Sequence, residues 1–433
     1  MKKSFAILLS AALFAGFTSC DNEQEDIFDE TAAHRLNHAL EEYQGYLSSA
    51  ENGWVMEYFA NNNEAGYPIL MKFDAAGSVT MAGKNAVATG GKYMEQKSLY
   101  ELIADNGPVL TFDTYNNILH AFSNPEDDPN TDNNEQGLGH EGDYEFVIYE
   151  ATADYFHFKG KKYGLDIYMY KLPADMVWEE YYENIDAIRN EYFNSKVKQI
   201  WFEAAGERYT VTGMSTGLLS FVPEGGDPIT ETTTASFVVL LDGSVHFCKP
   251  FKGIKGSFAV QNFAMNEEGY LASTDEGTDG FFSTDPISQF FIIPTNAWKI
   301  DAESYTGIYT DLYSKLSESM SKAGYGNMSY VQMKYTSNEQ LQVTIKTKRV
   351  EAACLYDVTI VDNNKISFTL NLDAMRQSTI RAIKNGVAVY DTNEEYKTFV
   401  EALGKEFSLT GNSHIATTEV TLTNGNDGFK VKL

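Results

Sequence analysis

The first part of the chain alternates apolar and polar positions with the period of a helix. Leu36, Leu40, Tyr43 and Leu47 are spaced four, three and four residues apart. Because an α-helix repeats every 3.6 residues, this spacing places the four side chains on one face. The pattern therefore predicts a helix over residues 30–50.

After this helix the period changes to two, which is typical of strands whose two faces differ. Residues 165–171 show the change clearly, since Leu165, Ile167 and Met169 alternate with more polar neighbours. Those neighbours are Asp166, Tyr168 and Tyr170. Other strand signals fall at residues 54–59, 69–73, 78–82, 109–112, 144–149 and 155–158. Residues 30–172 are thus predicted to form one helix followed by an antiparallel sheet.

A second helix is predicted from Pro173, because apolar residues again recur three and four positions apart. They are Trp178, Tyr181, Ile185, Ile188 and Tyr192. Strand patterns return after this helix, so residues 173–298 form either a second helix-plus-sheet domain or a continuation of the first. A tryptophan followed by Gly-Ser-Val occurs in both regions, at 54 with 77–79 and at 201 with 243–245. This match leaves a tandem duplication open as an alternative to chance.

The last third of the chain has a different pattern of apolar and polar positions. Leu341, Val343 and Ile345 alternate strictly, and two helices are predicted near residues 372–385 and 394–407. Residues 299–433 therefore read as a separate α+β domain. The predicted fold class is α+β and mostly β, with curled antiparallel sheets or barrel-like units that each pack a helix, plus the C-terminal α+β domain.

The amino terminus has the order of a secretory signal, with lysines at 2 and 3, an apolar run over 5–17, and then Thr-Ser-Cys. The run is shorter than the roughly 20 apolar residues that a transmembrane helix needs. Cys20 stands where a bacterial lipoprotein carries its acyl chains, although Phe17 replaces the usual leucine of that motif. We expect residues 1–19 to be a signal peptide and Cys20 to be lipidated and held on a membrane.

Residues 21–26 read Asp-Asn-Glu-Gln-Glu-Asp, and the lipidated segment 20–29 is expected to act as an acidic tether. An acidic run in this position is similar to the surface-export signal of Bacteroidota lipoproteins. We therefore expect a protein that is anchored by lipid in the outer membrane and faces the outside of the cell.

Charge narrows the range of partners. Without residues 1–19 the chain keeps 33 − 2 = 31 basic and 61 acidic side chains, a formal charge of −30. A nucleic-acid binder needs clustered basic residues, so nucleic acid is an improbable partner. The 27 tyrosines and 27 phenylalanines suit both strand cores and ligand-stacking surfaces.

Two catalytic patterns fail on their context. Residues 213–217 match a nucleophile elbow around Ser215, but a strand pattern follows where that motif requires a helix, so a hairpin turn is favoured. Residues 137–142 match the glycine pattern of dinucleotide sites, but an acidic loop precedes them and a strand follows. We expect no nucleotide site, and the sequence identifies no catalytic residue.

Two groups of residues have the spacing of metal ligands. Asn130, Asp132, Asn134 and Glu141 have the spacing of calcium-loop ligands, in a loop that is more simply explained as solvated and acidic. His34 and His38 lie four residues apart, but on the polar face of the first helix and with no obvious third ligand. We expect no cofactor, with calcium at the acidic loop as the alternative.

Cys248 and Cys354 are the remaining cysteines. Their spacing carries no signature, so both a disulfide and two buried thiols stay open, and buried thiols are favoured.

The stretches 33–36, 53–58, 70–74 and 142–146 resemble a family of Bacteroidota lipoproteins whose domain is of unknown function. The resemblance covers the signal and most of residues 30–300. It implies an accessory surface lipoprotein of the kind found near TonB-dependent transporters and their companion lipoproteins, and it supplies no catalytic residues.

The sequence is consistent with three functions. The leading hypothesis is a binding or accessory lipoprotein that helps capture an extracellular glycan, polymer or protein nutrient, with a glycan or peptide as ligand. The alternatives are an extracellular hydrolase of the glycoside-hydrolase type, which uses carboxylates, and a structural or adhesive surface protein. A cleft with convergent carboxylates would favour the hydrolase, and a flat aromatic face would favour binding.

Overall fold

The computed structural model describes residues 31–125, 139–197, 200–213 and 217–433. Its helices are α1 Ala32–Ser49, α2 Ala86–Thr89, α3 Asn117–His120, α4 Trp178–Tyr192, α5 Ile287–Phe291, α6 Ile308–Lys322, α7 Leu372–Gln377, α8 Arg381–Thr392 and α9 Glu394–Ala402. Its strands in the first sheet are β1 Trp54–Tyr58, β2 Tyr67–Phe73, β3 Ser78–Gly83, β4 Met94–Leu99, β5 Glu101–Ala104, β6 Pro108–Thr111, β7 Glu145–Ala151, β8 Tyr155–Gly160 and β9 Asp166–Lys171.

Two further sheets follow the first along the chain. The second contains β10 Ile200–Ala204, β11 Glu207–Thr212, β12 Leu218–Pro223, β13 Thr233–Val239, β14 Val245–Lys252, β15 Ala259–Met265, β16 Leu271–Ser273 and β17 Phe281–Ser283. The third contains β18 Ala297–Ile300, β19 Met328–Tyr335, β20 Gln340–Thr347, β21 Glu351–Asp362, β22 Lys365–Leu370, β23 Glu406–Gly411, β24 Glu419–Asn424 and β25 Asp427–Lys432.

All three sheets are antiparallel meanders. The first has the strand order β4-β3-β2-β1-β9-β8-β7-β6-β5, so the first and last strands of the meander pair at its centre. The other two close into eight-stranded barrels, which we call the first and second barrel. The prediction of a mostly β fold with curled or barrel-like units and packed helices is confirmed.

Helix α1 packs against the inner face of the first sheet. The hydroxyl of Thr31 caps its first turn by accepting a hydrogen bond from the backbone N–H of His34. Leu47 is buried, and its carbonyl accepts a hydrogen bond from the indole N–H of the fully buried Trp54 at 3.0 Å. The apolar stripe predicted from the sequence therefore faces the sheet core, and Trp54 fixes the helix to the first strand.

Helix α4 covers part of the outer face of the same sheet. The Tyr182 hydroxyl donates to the carbonyls of Pro68 and Ala82, and Val55 and Leu70 join the same buried cluster. Since the helix also packs on strand β13, it joins the first sheet to the first barrel through one continuous apolar core.

The first barrel is filled by aromatic side chains. Phe202 is fully buried, and five phenylalanine rings lie 5.1–6.1 Å from its own ring: Phe221, Phe251, Phe258, Phe263 and Phe282. An eight-stranded barrel has an interior just wide enough for side chains to fill. The interior is therefore a packed core, and surface grooves are the places to look for ligands.

Three sequence expectations differ from the structure in their boundaries. The second helix begins at Trp178 instead of Pro173, because the side-chain amide of Asn52 holds the carbonyls of Pro173 and Met176 in a turn. The two predicted C-terminal helices are three, α7 to α9. Phe407, predicted in the last helix, lies in β23 opposite Ile366.

The two Gly-Ser-Val turns have the same backbone hydrogen bonds. Gly77 donates to Asp74 and Gly243 donates to Leu240, and both glycines have positive φ angles. One turn joins β2 to β3 and the other joins β13 to β14, which are different positions in their sheets. Hairpin chemistry thus accounts for the match, because tight turns use few residue types.

Cys248 and Cys354 are buried free thiols in different barrels, as favoured from the sequence. Among the described helices, none is both long enough and apolar enough to cross a membrane.

Candidate functional site

The outer face of the first sheet carries a row of aromatic side chains on three neighbouring strands. Tyr149 lies on β7, Tyr155 and His157 on β8, and Tyr168 and Tyr170 on β9. We call these five residues the tyrosine face. Tyr149 is 62% exposed and the other four are half-buried, so the row reaches solvent along its length.

Strand alternation places these side chains on one side. In β8 the buried Phe156 and Phe158 point to the sheet core, and Tyr155 and His157 point away from it. Strand β9 alternates in the same way, as the sequence predicted. In the register of the sheet, Tyr168 lies opposite both His157 on β8 and a residue of β1 on its other side.

The rings of the tyrosine face stack on one another across the strands. The ring centroids of His157 and Tyr168 are 4.7 Å apart and their planes differ by 19°, and those of Tyr155 and Tyr168 are 6.2 Å apart with 22° between planes. Tyr149 extends the row to His157 at 5.7 Å, and Tyr170 extends it to Tyr155 at 5.4 Å. Each ring therefore restrains its neighbours.

Polar groups border the rings. The Nε2 atom of His157 donates a hydrogen bond to Oδ1 of Asp166 at 2.9 Å. The ammonium group of Lys159 lies 5.8 Å from the ring centroid of Tyr149. The face thus combines aromatic area with hydroxyl, carboxylate and ammonium groups, which is the composition of many recognition surfaces.

At one end of the tyrosine face, where the first sheet meets strands β14 and β15, a pocket of about 230 Å³ opens. Glu57, Tyr168 and Tyr170 line it from the sheet, and His246 and Asn262 line it from the first barrel. We call it the Glu57 pocket. Glu57 is the residue of β1 that pairs with Tyr168, so the pocket continues the tyrosine face.

Glu57 and His246 form a hydrogen-bonded ion pair in this pocket. Glu57 is only 1% exposed, and its Oε1 accepts a hydrogen bond from Nδ1 of His246 at 2.9 Å. Burial raises the pKa of the Glu57 carboxyl more than its bond to His246 lowers it. Burial alone would lower the pKa of His246, but the hydrogen bond and negative charge of Glu57 together raise it. Both groups therefore keep their protons to a higher pH than usual.

Asp275 braces the barrel side of the pocket. Its Oδ2 accepts hydrogen bonds from the backbone N–H groups of Gln261 and Asn262 at 2.6 and 3.0 Å. Its Oδ1 accepts a hydrogen bond from the side-chain amide of Asn262 at 2.7 Å. Burial would raise the pKa of Asp275, but these hydrogen bonds to the carboxylate lower it overall. The pocket wall is thus fixed by a charged acceptor.

A larger cleft of about 640 Å³ lies between the two barrels. The Arg208 guanidinium, which lines it, stacks 3.8 Å from the ring centroid of Trp201. It also pairs with Asp285 at 3.1 Å, Glu203 at 3.3 Å and Glu224 at 3.4 Å. Because the arginine is already paired with carboxylates, we place the candidate site at the tyrosine face instead.

Of the four predicted calcium ligands, Glu141 alone is described, and its φ angle is 56°. Asn130, Asp132 and Asn134 lie outside the described residues, as does Cys20. Within the described ranges, no three or more histidine, cysteine, aspartate or glutamate residues are grouped so that they could hold a metal. The calcium site and the lipidation of Cys20 stay predictions.

The other sequence motifs lie only partly within the described residues. His34 and His38 are exposed on α1. Strands β11 and β12 pair antiparallel on either side of residues 213–217, with Thr212 opposite Ser220, so a strand stands where a nucleophile elbow has its helix. Ser215 itself lies outside the described residues. Strand β7, and no helix, follows the glycine pattern at 137–142.

Sequence reasoning missed Glu57 and His246 as site residues. The available signal was a single glutamate within the apolar strand Trp54–Tyr58, since a charged residue in a buried strand needs a partner. That partner lies 189 residues away, which no local pattern can reveal.

Comparison with known families gives a match over more than half of the chain. The model of the family described as a domain of unknown function, DUF4302, matches residues 24–267. That segment contains every residue of the tyrosine face and of the Glu57 pocket. No curated protein matches the chain.

Among solved structures, the chain is similar to the crystal structure of the DNA polymerase III subunit beta from Pseudomonas aeruginosa. The identity is 10%, the match covers 92% of this chain and 97% of that chain, and the TM-score is 0.13. A TM-score this low carries no argument about fold or function.

Proposed function

This chain belongs to the DUF4302 family, and we propose that it is a binding protein that captures an extracellular glycan, polymer or protein nutrient on its tyrosine face. The observation that carries the proposal is the row of half-exposed rings on β7, β8 and β9. The anchor and the location that we propose with it rest on the sequence.

Contiguous apolar patches on a protein surface often mark interaction sites. Tyrosine offers a large contact area at a low cost in side-chain entropy, together with a hydroxyl for hydrogen bonding. Here the rings of Tyr155, His157 and Tyr168 already restrain one another. A ligand therefore meets a preorganised surface, which lowers the entropy cost of binding.

Binding is favoured over hydrolysis by the positions of the carboxyl groups. A glycoside hydrolase of the usual kind needs two carboxyl groups that flank one bond. Among the described residues, the carboxyl groups whose pKa is raised are those of Glu57 and Asp143, and they line different pockets. The tyrosine face thus has the composition of a recognition surface.

The proposed setting is the outer surface of the outer membrane. Acyl chains on Cys20 would hold the chain there, and the acidic segment 21–26 would keep the folded body away from anionic headgroups. In this setting the partners are an outer-membrane transporter and its companion lipoproteins. Copurification from native outer membranes in mild detergent, with partners identified by mass spectrometry, tests that part of the proposal.

Ligand capture is tested on arrays of glycans and peptides with the soluble body, residues 31–433. We expect wild-type protein to bind at least one array component, and the Tyr168→Ala variant to bind it at least about tenfold more weakly, as for a central aromatic contact. Tyr115→Ala is the matched control, because Tyr115 is 56% exposed and is not part of the tyrosine face. Absence of any ligand, or equal binding by the Tyr168→Ala variant, would contradict the proposal.

A further inference from the structure

The Glu57 pocket contains a buried acceptor without a partner. Oε1 of Glu57 accepts from His246, but Oε2 is buried and has no hydrogen-bond partner among the described residues. Leaving a charged acceptor unsatisfied in a buried site is costly, so such atoms are informative where they line a pocket. This atom calls for a hydrogen-bond donor from outside the chain.

The surroundings of this acceptor are aromatic and negatively charged. The rings of Tyr168, Tyr170 and Phe59 line the pocket, and so does the carboxylate of Asp166. Among the residues that line the pocket, His246 is the one that can carry a positive charge, and the carboxylate of Glu57 already neutralises that charge. A further positive group is therefore attracted here, and an anion is repelled.

Negative charges outside the lining reinforce this preference. Asp242 and Asp275 are close enough to act on the electrostatics of the ion pair, Asp242 on both partners and Asp275 on His246. Aromatic rings with carboxylates around them are the usual environment for an organic cation, because the negative ring faces attract it.

We propose that the Glu57 pocket binds a primary ammonium group. Oε2 of Glu57 accepts a hydrogen bond from one N–H of this group, and the rings of Tyr168 and Tyr170 lie beside it. The inference deepens the proposed function and rests on it, since the pocket continues the tyrosine face. It assigns the positively charged part of the captured ligand to the pocket and the remainder to the row of rings.

The size of the pocket limits what carries the ammonium group. A cavity of about 150 Å³ accommodates a benzene ring, so 230 Å³ accommodates one amino-sugar ring or one lysine side chain. Both carry the same ammonium chemistry. The experiment has an arm for each source.

The test compares each amine with its uncharged acetamide on the wild-type soluble body by isothermal titration calorimetry. Glucosamine is paired with N-acetylglucosamine, and Nα-acetyl-lysine amide, whose one amine is Nζ of the side chain, is paired with its diacetylated derivative. We expect at least one amine to bind at least tenfold more tightly than its acetamide. The arm that binds identifies the source. Equal binding within both pairs, or no binding in either, would overturn the inference.

Variants then locate the site. Glu57→Gln keeps the size of the side chain and removes the charge, and should lower the affinity for the amine at least tenfold. Glu203→Gln makes the same change in the cleft between the barrels and should leave that affinity unchanged. Amine binding that survives Glu57→Gln would overturn the inference. Because amine selectivity is measured on the wild-type chain, the result does not depend on how well the variants fold.

The outcomes separate this inference from the proposed function. If an array ligand depends on Tyr168 but no amine binds, the tyrosine face is a binding surface and the ammonium assignment is wrong. If amines bind through Glu57 but no array component binds, the pocket stands and the capture of a larger ligand is wrong.

Discussion

Adding a single methyl group to helix α8 should destabilise the second barrel, although it raises the intrinsic stability of the helix. Gly386 is buried where α8 packs on strand β21. A Cβ atom at this position would lie 2.0 Å from the carbonyl oxygen of Ala353 and 2.8 Å from its carbonyl carbon. Ordinary contacts begin at 3.4 Å, so the atoms would have to separate by 3.4 − 2.0 = 1.4 Å.

The magnitude follows from two opposing effects. Replacing glycine by alanine inside a helix stabilises it by about 1 kcal/mol. Overpacking a core costs about 1–3 kcal/mol, and the upper part of that range applies because the obstacle is the backbone of a strand, which pairs with β20 at Ala353. We therefore expect Gly386→Ala to lower the free energy of unfolding by about 1–2 kcal/mol.

Gly45 provides the matched control in another helix. It lies exposed in α1, and nothing is within 4 Å of the position of its Cβ. Gly45→Ala should therefore raise stability by up to about 1 kcal/mol. Urea unfolding followed by circular dichroism measures both variants against wild type. A Gly386→Ala variant as stable as wild type would show that α8 is not seated on β21 as described.

Three further outcomes are expected. Because Glu57 raises the folded-state pKa of His246, the stabilisation by this pair is full below the unfolded pKa of about 6.5 and is lost as pH rises through the folded value. The difference in melting temperature between wild type and the His246→Gln variant should therefore shrink between about pH 5.5 and 8.5. A difference that stays constant over this range would contradict the prediction. The lowered pKa of Asp275 has the opposite sign, so Asp275→Asn should cost about 1–2 kcal/mol at pH 7, and this cost should shrink as pH falls below the unfolded carboxyl pKa of about 3.9 and through the lower folded value. Urea unfolding at a series of pH values from 7 down to about 2 checks this, and a cost that stays constant over the series would refute it. Burial raises the pKa of Cys248 and of Cys354 to about 12. A thiol reagent at pH 8 should therefore label both at least about a thousandfold more slowly in native protein than in urea. Rapid labelling of the native protein would count against the burial of these thiols.

The local patterns predicted elements well where a single face decides the structure. The stripe containing Leu47 faces the sheet, and the alternation around Tyr168 places that ring outside the core. The exact start of α4 was not predictable, because a side chain 121 residues away, Asn52, holds the carbonyl of Pro173 in a turn. Helix boundaries set by tertiary hydrogen bonds leave no periodic signal.

The site was predictable only in part. Tyr168 and Tyr170 were visible as the polar positions of an alternating strand, but the sequence does not show that the rings of β7, β8 and β9 form one row. That row depends on strand register, which side-chain packing sets. The pairing of Glu57 with His246 depends on the meeting of two sheets, and sequence spacing carries no trace of it.

The most direct test of the tyrosine face is hydroxyl-radical footprinting with the best array ligand. Tyrosine rings are oxidised according to their exposure, and mass spectrometry reads each one separately. We predict that the ligand protects Tyr149 and Tyr168 from oxidation, and leaves Tyr115 and the Tyr270 of the cleft between the barrels unchanged. Protection of Tyr270 or Tyr115, with Tyr149 and Tyr168 oxidised as in the free protein, would contradict the account.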